Sequence, residues 1–250
     1  MKNIKKIVAV MLAAMMMLAL VGCNKKAADD NKLVVATSAD FPPYEYVEGG
    51  EFVGIDMDIA RAIADKLGME LEIQNVDFDS VIAGVTTGKY QMGMSGITAN
   101  DERRKNVNFT DSYATTNQVI IVKEGSDIKS AADLADKFTA VVQGYTGETC
   151  ITELGYKYES FKKGTECILE LVNGKCDAVV IDSATASKYV ADNEGLVIVT
   201  DDEAFGSEQY AIAVKKGNTE LLEKINATIQ KMLDDGTIGN LSDKYCTAEE

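Results

Sequence analysis

A chain of 250 residues, 46% of them hydrophobic, is long enough to bury a large core and to build one or two domains. It carries 40 acids against 25 bases, a formal charge of −15 and no histidine. That acidity excludes a nucleic-acid partner, whose phosphates need a basic patch. The missing imidazole leaves zinc only sulfur or carboxylate ligands, for which no spacing exists.

Residues 1–22 read as a targeting segment. Lys2, Lys5 and Lys6 make a basic start, and Ile7 to Val21 is an uninterrupted apolar run. That run has signal-peptide length and is short for a spanning helix. It ends in Leu20-Val21-Gly22-Cys23, which is similar to the lipobox of bacterial lipoproteins and predicts lipidation of Cys23 after cleavage. Loss of the three lysines takes the formal charge from −15 to −18. Residues 23–32 then have no large apolar side chain beyond the cysteine and read as a flexible tether.

From residue 33 the chain alternates strand-like and helix-like segments. LVVAT (33–37) is a buried-strand run, followed by a loop with the only prolines, Pro42 and Pro43. GIDMDIARAIADKLG places Ile55, Ile59, Ile63 and Leu67 at every fourth position, with Asp56 and Asp58 at the N-terminal end and Gly68 at C′. MELEIQ is a strand, Asp79 to Lys89 a helix and YQMGM a strand. After Tyr113 the pattern resumes: QVIIVK strand, DIKSAADLADK helix, FTAVV strand, ETCITELG helix, YKYESF strand, TECILELVNG helix. CDAVVI, LVIVT and QYAIAV follow as strands, SATASKYVAD as a helix, and Thr219 to Leu233 as a long amphipathic helix. Such alternation predicts an α/β protein with mostly parallel sheets flanked by helices, in two lobes. Cys150, Cys167, Cys176 and Cys246 allow three disulfide pairings or free thiols, and nothing in the sequence chooses.

Ligands of open α/β sheets bind beyond the carboxyl ends of strands. After LVVAT come Ser38 and Phe41; after YQMGM come Gly96, Thr98 and Arg103; after FTAVV come Gln143 and Thr146; after CDAVVI comes Asp182. Arginine occurs only at positions 61, 103 and 104, so its placement here is informative. Arg103 can grip a carboxylate with two parallel N–H bonds, which lysine cannot. Thr98 and Thr146 add donors, and helices beginning near Asp101 and Gly147 add their positive ends. Asp182 can take an α-ammonium group or N-cap the helix behind it, and Thr146 can likewise serve as a cap. Phe41 offers an apolar wall. These groups amount to a cage for an amino acid.

The stretches ADFPPYEY, GEFVGIDMDIARAIADKLG, KYQMGMSGITANDERRKNVNFTDSY, VVQGYTGE and GKCDAVVIDSATA, in this order and spacing, resemble the polar-amino-acid substrate-binding proteins that feed ABC importers. The resemblance covers nearly all of residues 33–245. It implies a two-lobed periplasmic-binding-protein-like fold of type II with two crossover strands: lobe 1 from 33–112 and 208–250, lobe 2 from 113–207. It puts the carboxylate arginine on Arg103 with Thr98 and Thr146, the amine-binding groups on Asp182 and the Gly96 carbonyl, and the stacking ring on Phe41. Ile55 stands where many members have an aromatic residue, and Ser38 where many have an acid. Gln143 lies where side-chain recognition often occurs. Ser38 therefore points to a small or medium neutral amino acid. The implied partners are an amino acid, a permease and, through the lipid anchor, a membrane; the protein acts as a monomer with no cofactor. A cyclic-acid dehydratase on the same fold is the competing reading, but without histidine only a perturbed carboxylate, lysine or cysteine could do acid–base work, and the chain reads as a non-enzyme. A third reading is a ligand-sensing lobe for a membrane signalling partner.

Overall fold

The computed structural model describes residues 31–246. The signal segment, Cys23, all of the tether before Asn31, and residues 247–250 lie outside the described residues. In chain order the elements are β1 (Lys32–Thr37), β2 (Asp40–Phe41), β3 (Glu45–Glu48), β4 (Glu51–Val53), α1 (Ile55–Leu67), β5 (Glu70–Asn75), α2 (Phe78–Thr87), β6 (Met92–Gly93), α3 (Asp101–Arg104), β7 (Val107–Phe109) and β8 (Ala114–Thr116). Then come β9 (Gln118–Lys123), β10 (Thr139–Val142), α4 (Thr146–Leu154), β11 (Tyr158–Phe161), α5 (Gly164–Val172), β12 (Ala178–Asp182), α6 (Ser183–Ala191), β13 (Leu196–Val199), α7 (Asp202–Phe205), β14 (Glu208–Tyr210), β15 (Ala213–Lys215), α8 (Thr219–Asp234) and α9 (Thr237–Cys246). Lys32, read as the last tether residue, already belongs to β1.

Two five-stranded sheets carry the architecture, in the orders β5-β1-β6-β15-β7 and β11-β10-β12-β9-β13. The fold is the two-lobed periplasmic-binding-protein type, with one sheet in each lobe. The sheets are mixed rather than mostly parallel. In the first, β1 and β6 are parallel but β15 runs antiparallel to both β6 and β7. In the second, β10 is parallel to β11 and β12, whereas β9 is antiparallel to β12 and β13. The reason is connectivity: each antiparallel strand lies beside a point where the chain leaves or re-enters a lobe. At those two passages β8 and β14 pair antiparallel, Ala114 with Tyr210 and Thr116 with Glu208.

The helices follow their periodicity. Ile55, Ile59 and Ile63 of α1 are each no more than 3% exposed and face the core. Gly68 ends α1 with a φ of 67° and returns its N–H to Ala64 and Asp65, the left-handed stop that a side chain resists. Other expectations changed. DIKSAADLADK is not an α-helix; only Ala131–Leu134 winds, as a 3-10 turn boxed by Ser130 and Asp133. The Asp133 carboxylate accepts from the Lys129 and Ser130 N–H groups, which fixes the start of the turn. QYAIAV is two strands: Tyr210 pairs with Ala114, while Ala213 pairs with Gly93 and Phe109, so Ala211-Ile212 passes the chain between sheets. YQMGM keeps only Met92–Gly93 as strand, and α3 is a single turn. No helix among the described residues is long and apolar enough to cross a membrane. Cys150, Cys167, Cys176 and Cys246 are free thiols.

Candidate functional site

The carboxyl ends of β1, β6, β10 and β12 converge on one cavity lined by Phe41, Phe78, Ser95, Gly96, Thr98, Arg103, Gln118, Tyr145, Thr146, Asp182 and Tyr210. Six of the nine residues expected there line it: Phe41, Gly96, Thr98, Arg103, Thr146 and Asp182. Three do not. Ser38 is buried behind the wall, its N–H on Ser95 Oγ at 3.0 Å and its hydroxyl on Asp40 Oδ1 at 3.1 Å. Ile55 starts α1 and is only 3% exposed, packed into the core. Gln143 is exposed, because its backbone N–H continues the β10–β11 ladder to Phe161 at 2.8 Å and turns its side chain away.

Arg103 bridges two segments far apart in sequence. Its Nη1 donates to the Thr98 carbonyl and its Nη2 to the Gly144 carbonyl, each at 2.9 Å, and the guanidinium lies 5.1 Å from the Phe78 ring centre. Asn100 holds Arg103 in register by accepting its backbone N–H at 2.9 Å. Arg104, by contrast, is exposed and sits over Phe109, outside the cavity.

Thr98 and Thr146 both face a carboxylate, but it is the protein's own. Thr98 Oγ1 donates to Glu208 Oε2 at 2.5 Å and Thr146 Oγ1 donates to the same atom at 2.8 Å. Glu208 thus stands where a ligand carboxylate was expected. Thr146 is the first helical residue of α4, and the cap position is Tyr145, which gives no side-chain cap bond. The first-turn amides of α4 therefore have no acceptor within the helix, as at every uncapped N-terminus.

Asp182 does cap α6, accepting from the Ala184 N–H at 3.0 Å. It also accepts from the Tyr210 hydroxyl at 2.5 Å and from the Thr116 hydroxyl. Burial raises its pKa against those bonds and a further one from the Thr185 backbone. Gly96 adopts a φ of 50°, and its N–H donates to Asp56 Oδ2 at 2.9 Å. A methyl group at Gly96 would come within 2.7 Å of the Phe41 ring. Behind this wall Glu45 and Asp56 are fully buried. Burial pushes the Glu45 carboxyl well above the usual range and Asp56 up to about 6. Ser95 donates to Glu45 Oε1, and the Gly96 N–H and Tyr113 hydroxyl donate to Asp56 Oδ2. Glu45 Oε2 and Asp56 Oδ1 have no hydrogen-bond partner, which fits carboxyls held protonated by burial.

The apolar side is aromatic. The Tyr145 ring lies edge-on to Phe41 at 5.3 Å and to Phe78 at 4.4 Å, taking the space between them. The room left for the centre of a water molecule is about 10 Å³, enough for roughly one water. Phe78, Ser95, Gln118, Tyr145 and Tyr210 were not among the expected residues. Applying the strand-end rule to MELEIQ finds Phe78, and Ser95 and Tyr145 sit inside stretches already singled out. Gln118 and Tyr210 escape that rule. Gln118 begins an antiparallel strand, and its start lies opposite the carboxyl end of β12, Gln118 paired with Asp182.

Residues 33–248 match the bacterial extracellular solute-binding proteins, family 3, and the chain belongs to that family. An arginine-binding extracellular protein of Bacillus subtilis is 33% identical over 98% of this chain and 100% of its own length. The crystal structure of a mutant of ArgBP from T. maritima superposes with a TM-score of 0.81 at 43% identity, covering 86% of this chain and 95% of that one. An ancestral amino-acid-binding protein, described as a precursor of cyclohexadienyl dehydratase, superposes with a TM-score of 0.81 at 35% identity over 87% of this chain and 96% of its own. All three are binding proteins by name, not enzymes.

Proposed function

We propose that this chain is a lipid-anchored, monomeric receptor that closes two lobes around an L-amino acid and delivers it to an ABC importer. Lobe 1 comprises residues 33–112 and 208–250, lobe 2 residues 113–207, and the paired strands β8 and β14 form the hinge. Arg103, Thr98 and Thr146 hold the carboxylate, Asp182 and the Gly96 carbonyl hold the ammonium, and Phe41 walls the side chain. Cys23 carries the anchor. The observation that carries the reading is a single cavity bringing Arg103, two threonines and Asp182 together from both sheets. A zwitterion needs a cation with hydroxyl donors at one end and an acid at the other.

With so little room left, a ligand enters when the lobes part or Tyr145 swings aside. The Tyr145 ring between Phe41 and Phe78 favours a small or medium neutral side chain. Arginine is the second reading, favoured by the arginine-binding relatives and by the carboxyls of Asp182 in the cavity and Glu208 on its threonines. Protein stripped of ligand by unfolding and refolding is melted against each of the twenty L-amino acids. A ligand at 100 times its Kd adds about 2.7 kcal/mol, a shift of a few degrees. A shift with one or a few supports the receptor reading and decides between neutral and cationic side chains. No shift with any of the twenty rejects it.

A further inference from the structure

We propose that Gln118 is a ligand-binding residue that holds the ammonium group of the bound amino acid beside Asp182. The assignment rests on the amino-acid reading above. Gln118 is 3% exposed, lines the cavity, and its Oε1 is buried with no hydrogen-bond partner. The other buried unpartnered side-chain atoms belong to Thr37, Glu45, Asp56, Thr139 and Thr185, and none of these residues lines the cavity. A buried amide oxygen left without a donor carries a desolvation cost that native structures almost always relieve. Here the relief comes from whatever enters the cavity.

Position identifies the donor. Gln118 lies directly opposite Asp182 in the β9–β12 pair, so the two side chains share one face of the sheet. On its other side, Gln118 Oε1 lies 3.0 Å from where a methyl group on Gly147 would stand, against the first turn of α4. The amide is therefore set between the acid assigned to the ammonium and the helix end assigned to the carboxylate. Asp182 alone cannot satisfy an ammonium. It already accepts from Ala184, Thr185, Thr116 and Tyr210, which together take up some four acceptor directions, whereas an ammonium brings three donors. Gln118 Oε1 and the Gly96 carbonyl in the same wall complete the set.

The test is titration calorimetry of wild type, Gln118→Met and Gln118→Glu. The probes are the L-amino acid among the twenty that binds tightest and its 2-hydroxy-acid analogue, which lacks the ammonium. Gln118→Met keeps the length and removes the acceptor; it should lose about tenfold in amino-acid affinity while hydroxy-acid binding changes less than threefold. Gln118→Glu keeps an acceptor and should bind the amino acid at least as tightly as wild type. Unchanged amino-acid affinity in the methionine variant, or equal losses for both probes, overturns the assignment. If Gln118→Met does not fold, a folded Gln118→Glu that loses more than tenfold overturns it instead. Wild-type protein that binds none of the twenty rejects the receptor reading and this assignment with it. Wild-type binding with an unaffected methionine variant rejects only the assignment.

Discussion

Arg103 shows what one residue type can and cannot announce. Its scarcity and its place after β6 were legible in the sequence; its two backbone acceptors, on Thr98 and Gly144, were not. The fork that spans those carbonyls is planar, and lysine has no equivalent. Arg103→Lys should lower amino-acid affinity at least tenfold, read by calorimetry; an unchanged Kd would remove Arg103 from the clamp. Glu208 was invisible because it belongs to a passage strand, yet it takes both hydroxyls meant for a ligand carboxylate. A second carboxylate arriving there meets like charge. Glu208→Gln should therefore raise amino-acid affinity several-fold, and a weaker Kd would mean that Glu208 serves binding rather than opposes it. Gly96 is read easily as a turn glycine, but the Phe41 ring that leaves no room for a side chain there comes from a distant segment. Gly96→Ala forces a side chain into left-handed backbone and against that ring, and should destabilise by about 1–3 kcal/mol in a denaturant melt.

Elements with strong periodicity were legible, and those decided by neighbours were not. The four-residue spacing of α1 gave its boundaries and buried face directly. Ile63 is fully buried in that face, so Ile63→Ala should cost about 2–5 kcal/mol in a chemical melt with the ligand spectrum unchanged. A cost below 1 kcal/mol would mean that α1 is not packed as described. The continuous apolar run QYAIAV could not reveal its division, because both halves are buried and each pairs with a different partner strand. DIKSAADLADK has helical spacing and buries Ile128, Ala131 and Leu134, yet only a 3-10 turn forms, its start fixed by the Asp133 carboxylate on the Lys129 and Ser130 N–H groups. Sheet direction was misread for a similar reason. Direction depends on where the chain crosses between lobes, and local pattern does not encode that.

Across the whole molecule, buried acids tie stability to pH. Burial raises the pKa values of Glu45, Asp56, Asp40 and Asp182, with Asp56 at about 6. The folded state therefore holds more protons than the unfolded chain between the ordinary carboxylate range and about pH 6, and stability falls as pH rises through that window. Asp58 works the other way. Its partial burial is outweighed by bonds from Lys244 and Tyr245, which lower its pKa, but it is partly exposed and screened. Melting temperature should be higher at pH 5.5 than at pH 8, and Glu45→Gln should flatten the difference; a melting temperature that climbs with pH would contradict the protonation of these buried carboxyls.

The lobes touch through more than the cavity. Asp40 Oδ2 accepts the Gly164 N–H at 3.2 Å, and the Tyr189 hydroxyl donates to the Asp40 carbonyl at 2.9 Å. An amino acid in the cavity should hold the lobes in this contact. The most direct measurement is small-angle X-ray scattering of ligand-stripped protein, with and without the tightest-binding L-amino acid at saturation. Closure around the ligand predicts a smaller radius of gyration when it is present, and no such change in Arg103→Lys. Equal radii for wild type with and without a ligand that binds by calorimetry would contradict it.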